Sequence, residues 1–146
     1  MENDGASSTK EIKAHKFILA LVSDVFEKGL YGDMKEDGGV EIKDATHDSF
    51  EAMIKFIYSV NTDINYYECE MICSLYYLGD KYNINALKKE VLSAISEKDI
   101  LADEVLDVCI LADQYSVHEE LYETLQIAAA QSLSKIFAGV LAQLPN

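Results

Sequence analysis

The stretch that decides the fold is residues 12–37, "IKAHKFILALVSDVFEKGLYGDMKED". Ile12 and Ala14 alternate with lysines, which predicts a short strand. The apolar residues then recur at helical spacing, which predicts a helix. Ser23 fits the N-cap of a second helix, because its hydroxyl can accept a backbone hydrogen bond, and Gly32 fits the end of that helix.

From Lys16 onward the spacing is helical, and Phe17, Leu21 and Val25 share one face as an apolar stripe. After the second helix, Met34 lies among acidic residues. Two interpretations stay open from the residues alone. The segment is either an acidic turn that happens to contain one apolar side chain, or an exposed apolar side chain on a charged surface that a partner binds.

The rest of the chain predicts an α+β domain that is mostly helical. "VEIKD" alternates Val40 and Ile42 as a strand does, and Thr46 fits the cap of the next helix. Periodicity predicts further helices over residues 67–82, 85–95, 103–114 and 117–137. Capping boxes are predicted at the pairs Ser96 with Asp99 and Ser116 with Glu119.

A short internal echo links two of these helices. "LGDKYNI" begins at Leu78 and "LADQYSV" begins at Leu111, an offset of 33 residues. Two copies are too few for a solenoid, so two helical hairpins in sequence explain the echo equally well.

The net charge of −14 excludes some partners. So acidic a chain repels phosphate backbones and anionic lipids, and we therefore expect neither nucleic acid nor membrane as a partner. Solubility is the simpler interpretation of the charge, and a partner with a basic face is the other.

No enzyme signature is present, and we expect no catalytic residue, no cofactor and no metal. Phosphate-binding glycine loops, nucleophile elbows and zinc-protease motifs are all missing, and the three histidines lie far apart. Cys69 and Cys73 would share a helical face, but no nearby ligand completes a metal site. These thiols and Cys109 fit reduced cysteines packed as small apolar residues in an intracellular protein, nuclear or cytoplasmic.

Several motifs in order resemble the BTB/POZ domain family. The opening stretch resembles the segment that follows that family's first strand, "VEIKDATHDSFEAMIKFIYS" its next strand and helix, and "LYYLGDKYNINALKKEV" its following helix pair. The speckle-type POZ proteins, which pair a MATH domain with BTB, look most similar. Residues 1–9 are small and polar, which predicts a disordered N-terminus. The resemblance divides the rest of the chain into a BTB/POZ domain (10–95) and a helical 3-box or partial BACK region (96–146).

This resemblance implies a protein-interaction module with short β-strands and a C-terminal helical hairpin. Such adaptors bind cullin-3 and bring substrates to a ubiquitin ligase. Their contact motif is an apolar residue, any residue, then glutamate, which here is Met34, Lys35 and Glu36, flanked by Tyr31 and Asp33. A flexible methionine can fill a partner's pocket, and the glutamate can accept hydrogen bonds beside it.

Two departures from the family pattern bear on self-association. Only nine polar residues precede Lys10, so the family's first strand and its dimer helix are expected to be missing and a homodimer to be weakened. Val22 stands where some transcriptional repressors of the family carry an arginine, which argues against a corepressor pocket. Self-association or a transcriptional scaffold without cullin remains the alternative function.

Overall fold

The computed structural model describes residues 10–31, 41–59 and 63–145. The helices are α1 (Lys16–Val22), α2 (Asp24–Tyr31), α3 (His47–Tyr58), α4 (Cys69–Lys81), α5 (Asn85–Glu97), α6 (Val105–Gln114) and α7 (Glu119–Ala142), with a 3-10 turn at Ile64–Tyr66 between α3 and α4.

The mostly helical part of the predicted fold is confirmed, whereas the strands are not. No strand is found in the described ranges, and residues 10–15 and 41–43 are irregular there. Ile12 and Ala14 are nevertheless half-buried between exposed neighbours, as the alternation predicted. Alternation sets which side chains face the core, but a strand also needs a paired neighbour, and alternation does not supply one.

The core is built around the pair α4 and α5. Fully buried apolar side chains come from both helices: Ile72, Leu75, Leu78, Leu87, Val91 and Ile95. Helix α3 packs against α4 and contributes Met53, and α7 packs against α5 and contributes Leu121 and Leu125. These buried residues recur at helical spacing along each helix.

Two predicted helix starts are confirmed, and both predicted capping boxes are wrong. The Phe26 amide donates to Ser23 Oγ at 3.1 Å, and the Ser49 amide donates to Thr46 Oγ1 at 3.1 Å. Ser96 lies inside α5 and donates instead to the Leu92 carbonyl at 2.9 Å. Helix α7 begins after His118, which makes no side-chain capping bond.

The sequence echo corresponds to a repeated helix ending. The Tyr82 amide donates to the Leu78 carbonyl at 2.9 Å, and the Tyr115 amide donates to the Leu111 carbonyl at 2.9 Å. The chain then turns from α4 into α5 and from α6 into α7. Asn83 follows the first ending with φ of 54°, in the left-handed region that asparagine tolerates better than most residues.

The C-terminal helices form a hairpin that packs on the rest of the fold. Helices α6 and α7 pack against each other across the turn at residues 115–118, and α7 also packs against α5. Ser132, buried in α7, donates a 2.6 Å hydrogen bond to the carbonyl of Ile100, in the loop between α5 and α6. Helix α7 runs five residues past its predicted end at residue 137.

The apolar stripe of the first helix faces outward. Phe17 and Leu21 are both more than two-thirds exposed, and Val25 is exposed as well. Leu19 on α1 and Phe26 on α2 are buried in their place. Spacing along α1 groups its apolar residues correctly, but it does not say which group meets the core.

Candidate functional site

The contact motif expected from the family resemblance lies outside the described residues. Met34, Glu36, Asp33 and Lys35 all fall within residues 32–40, so their predicted role stays a prediction. Tyr31 is described. It is the last residue of α2, and 56% of its surface is exposed.

The helix that leads into this segment is fixed to the C-terminal end of α4. Ser23 Oγ donates to the Tyr82 carbonyl at 2.5 Å, while the same oxygen caps α2. The Phe26 and Tyr82 rings are stacked, with centroids 4.3 Å apart and planes 3° from parallel, and Phe50 meets both rings edge-on. Ser23, Phe26 and Tyr82 are buried and Phe50 is half-buried, so these contacts pack the start of α2 closely against the end of α4.

The residues that follow the segment are fixed to the same end of α4. Asp44 Oδ2 accepts a hydrogen bond from Tyr77 Oη at 2.8 Å and a charge-assisted hydrogen bond from Lys81 Nζ. Tyr77 and Lys81 are four residues apart, so they lie on one face of α4 and reach the carboxylate together.

These bonds change the proton affinities of all three groups. The Lys81 ammonium, and then the Tyr77 hydroxyl, lower the pKa of Asp44. The hydrogen bond to Asp44 raises the pKa of Tyr77 and that of Lys81. Asp44 is therefore ionised at neutral pH, and its charge holds the chain to α4.

Residues 32–40 are thus bracketed by two attachments on one helix end. Tyr31 lies five residues beyond Phe26, about 7.5 Å along a helix at 1.5 Å per residue. Asp44 lies four residues after the segment ends. Both attachments use α4 residues between Tyr77 and Tyr82. The residues on each side of 32–40 are therefore both attached to α4.

A second cluster connects this end of α4 to the turn between α6 and α7. The His118 ring lies 5.7 Å from the Tyr76 ring, 6.3 Å from the Tyr77 ring and 6.2 Å from the Tyr115 ring, centroid to centroid. His118 Nδ1 is 3.6 Å from Asp80 Oδ2. Tyr77 therefore contacts Asp44 through its hydroxyl and His118 through its ring.

An acidic groove of about 460 Å³ lies between the start of α4 and α6. Its lining includes the carboxylates of Glu68, Glu70, Glu104 and Asp107, together with Cys69. Burial raises the pKa of Cys69, so its thiol is neutral at pH 7. The carboxylates that line the groove give this part of the surface a negative charge.

The cysteines divide by burial. Cys73 is buried, and desolvation raises its pKa to about 12. Cys69 is half-buried, in keeping with its predicted packing, whereas Cys109 is exposed and the prediction that it packs in the core is wrong. No disulfide is formed by these three residues.

One group of side chains has the donor set for a metal ion. His47, Asp48 and Glu51 lie on the first turns of α3, with ligand atoms within 4.8 Å of one another. Asp48 is exposed and the other two are half-buried, as charged residues on a helix surface commonly are. The group offers three ligand atoms from one helix, and we do not assign a metal site to it.

Sequence reasoning missed the attachments on both sides of the segment. The i,i+4 spacing of Tyr77 and Lys81 was visible in "YLGDK", and so was Asp44 at the end of "VEIKD". The contact of Asp44 with Tyr77 and Lys81, 33 and 37 residues away, could not be predicted, because neither stretch of sequence contains a signal that identifies the other as its partner.

The family model for the BTB/POZ domain matches residues 5–99. The chain is 30% identical over 122 residues to BTB/POZ domain-containing protein 6 of Xenopus laevis, a match that covers 83% of this chain and 22% of that protein. It is 28% identical over 113 residues to human BTB/POZ domain-containing protein 3, covering 77% of this chain and 20% of that protein.

A plant relative matches over most of its own length. A BTB/POZ domain-containing protein of Arabidopsis thaliana is 30% identical over 128 residues, covering 82% of this chain and 74% of that protein. The chain spans only about a fifth of the length of the vertebrate relatives. The family match covers all helices from α1 to α5, including both attachments. The chain belongs to the BTB/POZ domain family.

Proposed function

We propose that this BTB/POZ domain, a protein-protein interaction module, docks on a cullin-3-type scaffold as the scaffold-facing part of a ubiquitin-ligase substrate adaptor. Met34 would fill an apolar pocket on the scaffold and Glu36 would accept hydrogen bonds beside it, with Tyr31, Asp33 and Lys35 at the edge of the contact. The protein would work in the nucleus or cytoplasm, and not as an enzyme.

The observation that supports this proposal is the bracketing of residues 32–40 by two attachments on α4. Docking costs less conformational entropy when the ends of a binding segment are already ordered. Stacking of Phe26 on Tyr82 orders the chain on one side, and the hydrogen bonds to Asp44 order it on the other.

The proposal also covers the C-terminal region. The hairpin of α6 and α7 would be the 3-box or partial BACK region found in speckle-type POZ adaptors. Its support is the contact of His118 with Tyr77, which joins the hairpin to the same end of α4.

The test is binding of the purified chain to the N-terminal segment of cullin-3, measured by calorimetry. Met34→Glu combined with Glu36→Lys should weaken binding at least about tenfold, since a tenfold change corresponds to only about 1.4 kcal/mol. The matched control, Tyr66→Glu with Glu90→Lys, makes the same charge changes at exposed positions on the 3-10 turn and α5. If the wild type and the Met34→Glu, Glu36→Lys variant bind the cullin-3 segment with equal affinity, the proposed site is wrong.

The alternative is a self-association or transcriptional scaffold that works without cullin. Its support is the exposed stripe of Phe17 and Leu21 on α1, since exposed apolar patches often mark protein interfaces. Light scattering at micromolar concentration distinguishes the two functions. If the chain does not bind cullin-3 and forms a dimer that Phe17→Asp dissociates, the self-association function is favoured.

A further inference from the structure

The Tyr77 side chain contacts two parts of the chain that are far apart in sequence. Its hydroxyl donates to Asp44 Oδ2 at 2.8 Å. Its ring meets the His118 ring edge-on, with centroids 6.3 Å apart and planes 87° from parallel, a favourable geometry for an aromatic pair. Asp44 precedes α3 and His118 precedes α7. One side chain therefore connects the residues that follow 32–40 with the C-terminal hairpin.

The two contacts of Tyr77 depend on one another. A tyrosine hydroxyl is placed by two torsion angles and a rigid ring. The hydroxyl that bonds Asp44 and the ring that meets His118 belong to the same planar group, and the residue is half-buried in α4. A rotation that moves the ring away from His118 also moves the hydroxyl away from Asp44. The neighbours of the ring therefore influence the strength of the hydrogen bond.

His118 is itself held in place from several directions. Its ring centroid lies 5.7 Å from that of Tyr76 and 6.2 Å from that of Tyr115. Its Nδ1 is 3.6 Å from Asp80 Oδ2, and the other carboxylate oxygen of Asp80 accepts a 2.9 Å hydrogen bond from Lys88 Nζ of α5. The His118 side chain is only 17% exposed. It therefore presents a fixed surface to the ring that packs against it from α4.

The Asp44 end of this connection is the weaker one. The Asp44 side chain is 41% exposed, so water competes for its carboxylate. Lys81 reaches the same carboxylate, but its long side chain is 36% exposed, and ion pairs of this kind contribute little on their own. The half-buried tyrosine is the more rigid of the two donors. The Asp44 attachment therefore depends on how well Tyr77 is positioned.

We infer that His118 is a positioning residue for the Asp44 attachment. The hairpin of α6 and α7 holds the Tyr77 ring where its hydroxyl bonds Asp44, so the hairpin and the chain that follows residues 32–40 are energetically coupled. Such coupling is reciprocal. A partner that displaces His118 weakens the attachment at Asp44, and release of Asp44 loosens the packing of the hairpin turn. The coupling is a property of the fold, whereas its bearing on docking rests on the proposed function.

The test is a double-mutant cycle between Asp44→Ala and His118→Ala in the full chain, measured by urea denaturation. Measurement at pH 8, above the ordinary imidazole pKa of about 6.5, keeps imidazole charge out of the comparison. His118→Ala should change the unfolding equilibrium constant at least about threefold less in the Asp44→Ala background than in the wild type. The same cycle in a Tyr77→Phe background, which keeps the ring and lacks the hydroxyl, should show no coupling.

Two control variants separate positioning from general packing. His15→Ala removes another histidine ring that contacts a tyrosine, Tyr58, at 5.9 Å between centroids. Tyr58 ends α3, whereas Asp44 precedes that helix. The effects of His15→Ala and Asp44→Ala on the unfolding constant should multiply within about twofold. His118→Phe keeps an aromatic ring against Tyr77, so Asp44→Ala should cost as much in that background as in the wild type.

Three results would overturn the inference. They are coupling of Asp44 with His118 that stays within about twofold of none, coupling that persists in the Tyr77→Phe background, and a His118→Phe variant that loses the coupling as His118→Ala does. No cullin enters the measurement, so failure of the docking proposal and failure of this inference are distinguishable. Circular dichroism checks the fold, and His118→Gln replaces His118→Ala if that variant loses helicity.

Discussion

Tyr77 donates a 2.8 Å hydrogen bond to Asp44, a residue 33 positions earlier in the chain. The bond holds the residues after the candidate docking segment against α4. Lys81 reaches the same carboxylate from the next turn of the helix. The Asp44 carboxylate therefore attaches the chain to α4 after the candidate docking segment. Ser23 and Phe26 attach it to the end of α4 before that segment.

The Asp44 attachment makes the stability depend on pH in a defined window. Its pKa is lowered in the folded protein, chiefly by Lys81 and then by Tyr77, so the unfolded chain takes up this proton at a higher pH than the folded one. The contribution of Asp44 is therefore complete above its unfolded pKa of about 3.9. It is lost as the pH falls through the lower folded value.

Asp44→Asn should accordingly lower the free energy of unfolding at pH 7, and the difference from the wild type should shrink as the pH falls below about 3.9, until Asp44 is protonated in the folded protein as well. Urea denaturation at a series of pH values measures it. Glu90→Gln, at an exposed position of α5, is the matched control variant. A difference between Asp44→Asn and the wild type that is the same at pH 7 and pH 3 would contradict the assignment.

Ser23→Ala should destabilise the protein by about 2 kcal/mol, at the upper end of the cost of losing an N-cap. The change removes the cap of α2 and also leaves the buried carbonyl of Tyr82 without its 2.5 Å donor. Thermal or chemical denaturation checks the value. Ser134→Ala, on the exposed side of α7, should change stability by less than about 0.5 kcal/mol.

Two helical glycines should respond in opposite directions to substitution. A Cβ at Gly29 would meet nothing within 4 Å, so Gly29→Ala should stabilise α2 by about 0.5–1 kcal/mol through helix propensity. A Cβ at Gly79 would lie 3.0 Å from Lys88 Cγ and 3.4 Å from the Ile84 carbonyl. Gly79→Val should therefore destabilise by about 2 kcal/mol, because α5 cannot move away without opening the core.

Midpoints of urea unfolding compare the two glycine variants with the wild type. A stabilised Gly79→Val would show that α4 and α5 are not in close contact at this position. A destabilised Gly29→Ala would show that α2 is not helical around residue 29.

The three thiols should react in the order of their burial. With a pKa raised to about 12, Cys73 is ionised in about one molecule in ten thousand at pH 8. Iodoacetamide should modify the exposed Cys109 first, Cys69 more slowly, and Cys73 only on unfolding. Mass spectrometry of peptides after timed quenching measures this order, and early labelling of Cys73 in the native protein would contradict it.

Much of the fold was predictable because its signals are local. The caps at Ser23 and Thr46 need only a hydroxyl ahead of a helical pattern, and both were confirmed. The inward faces of α4 and α5 follow from apolar spacing within each helix. The echo of "LGDKYNI" in "LADQYSV" predicted two similar helix endings from sequence alone.

Other features depend on contacts between distant parts of the chain. The capping boxes at Ser96 and Ser116 fit the local pattern, yet α5 continues past Ser96 and α7 begins only after His118. Phe17 and Leu21 had the spacing of a core stripe and lie exposed instead. A helix fixes which residues share a face, whereas its neighbours fix which face is covered.

By itself the sequence determined the family, the helical segments and the position of the candidate docking motif, because these depend on residue types at short spacings. Helix packing, by contrast, attaches the residues on both sides of that motif to one end of α4, through Tyr82 and Asp44, and leaves apolar side chains exposed on the second half of α7. Hydrogen bonds and ring contacts between residues more than 30 positions apart form only when the helices pack. A local sequence pattern does not specify which distant residue each side chain will contact.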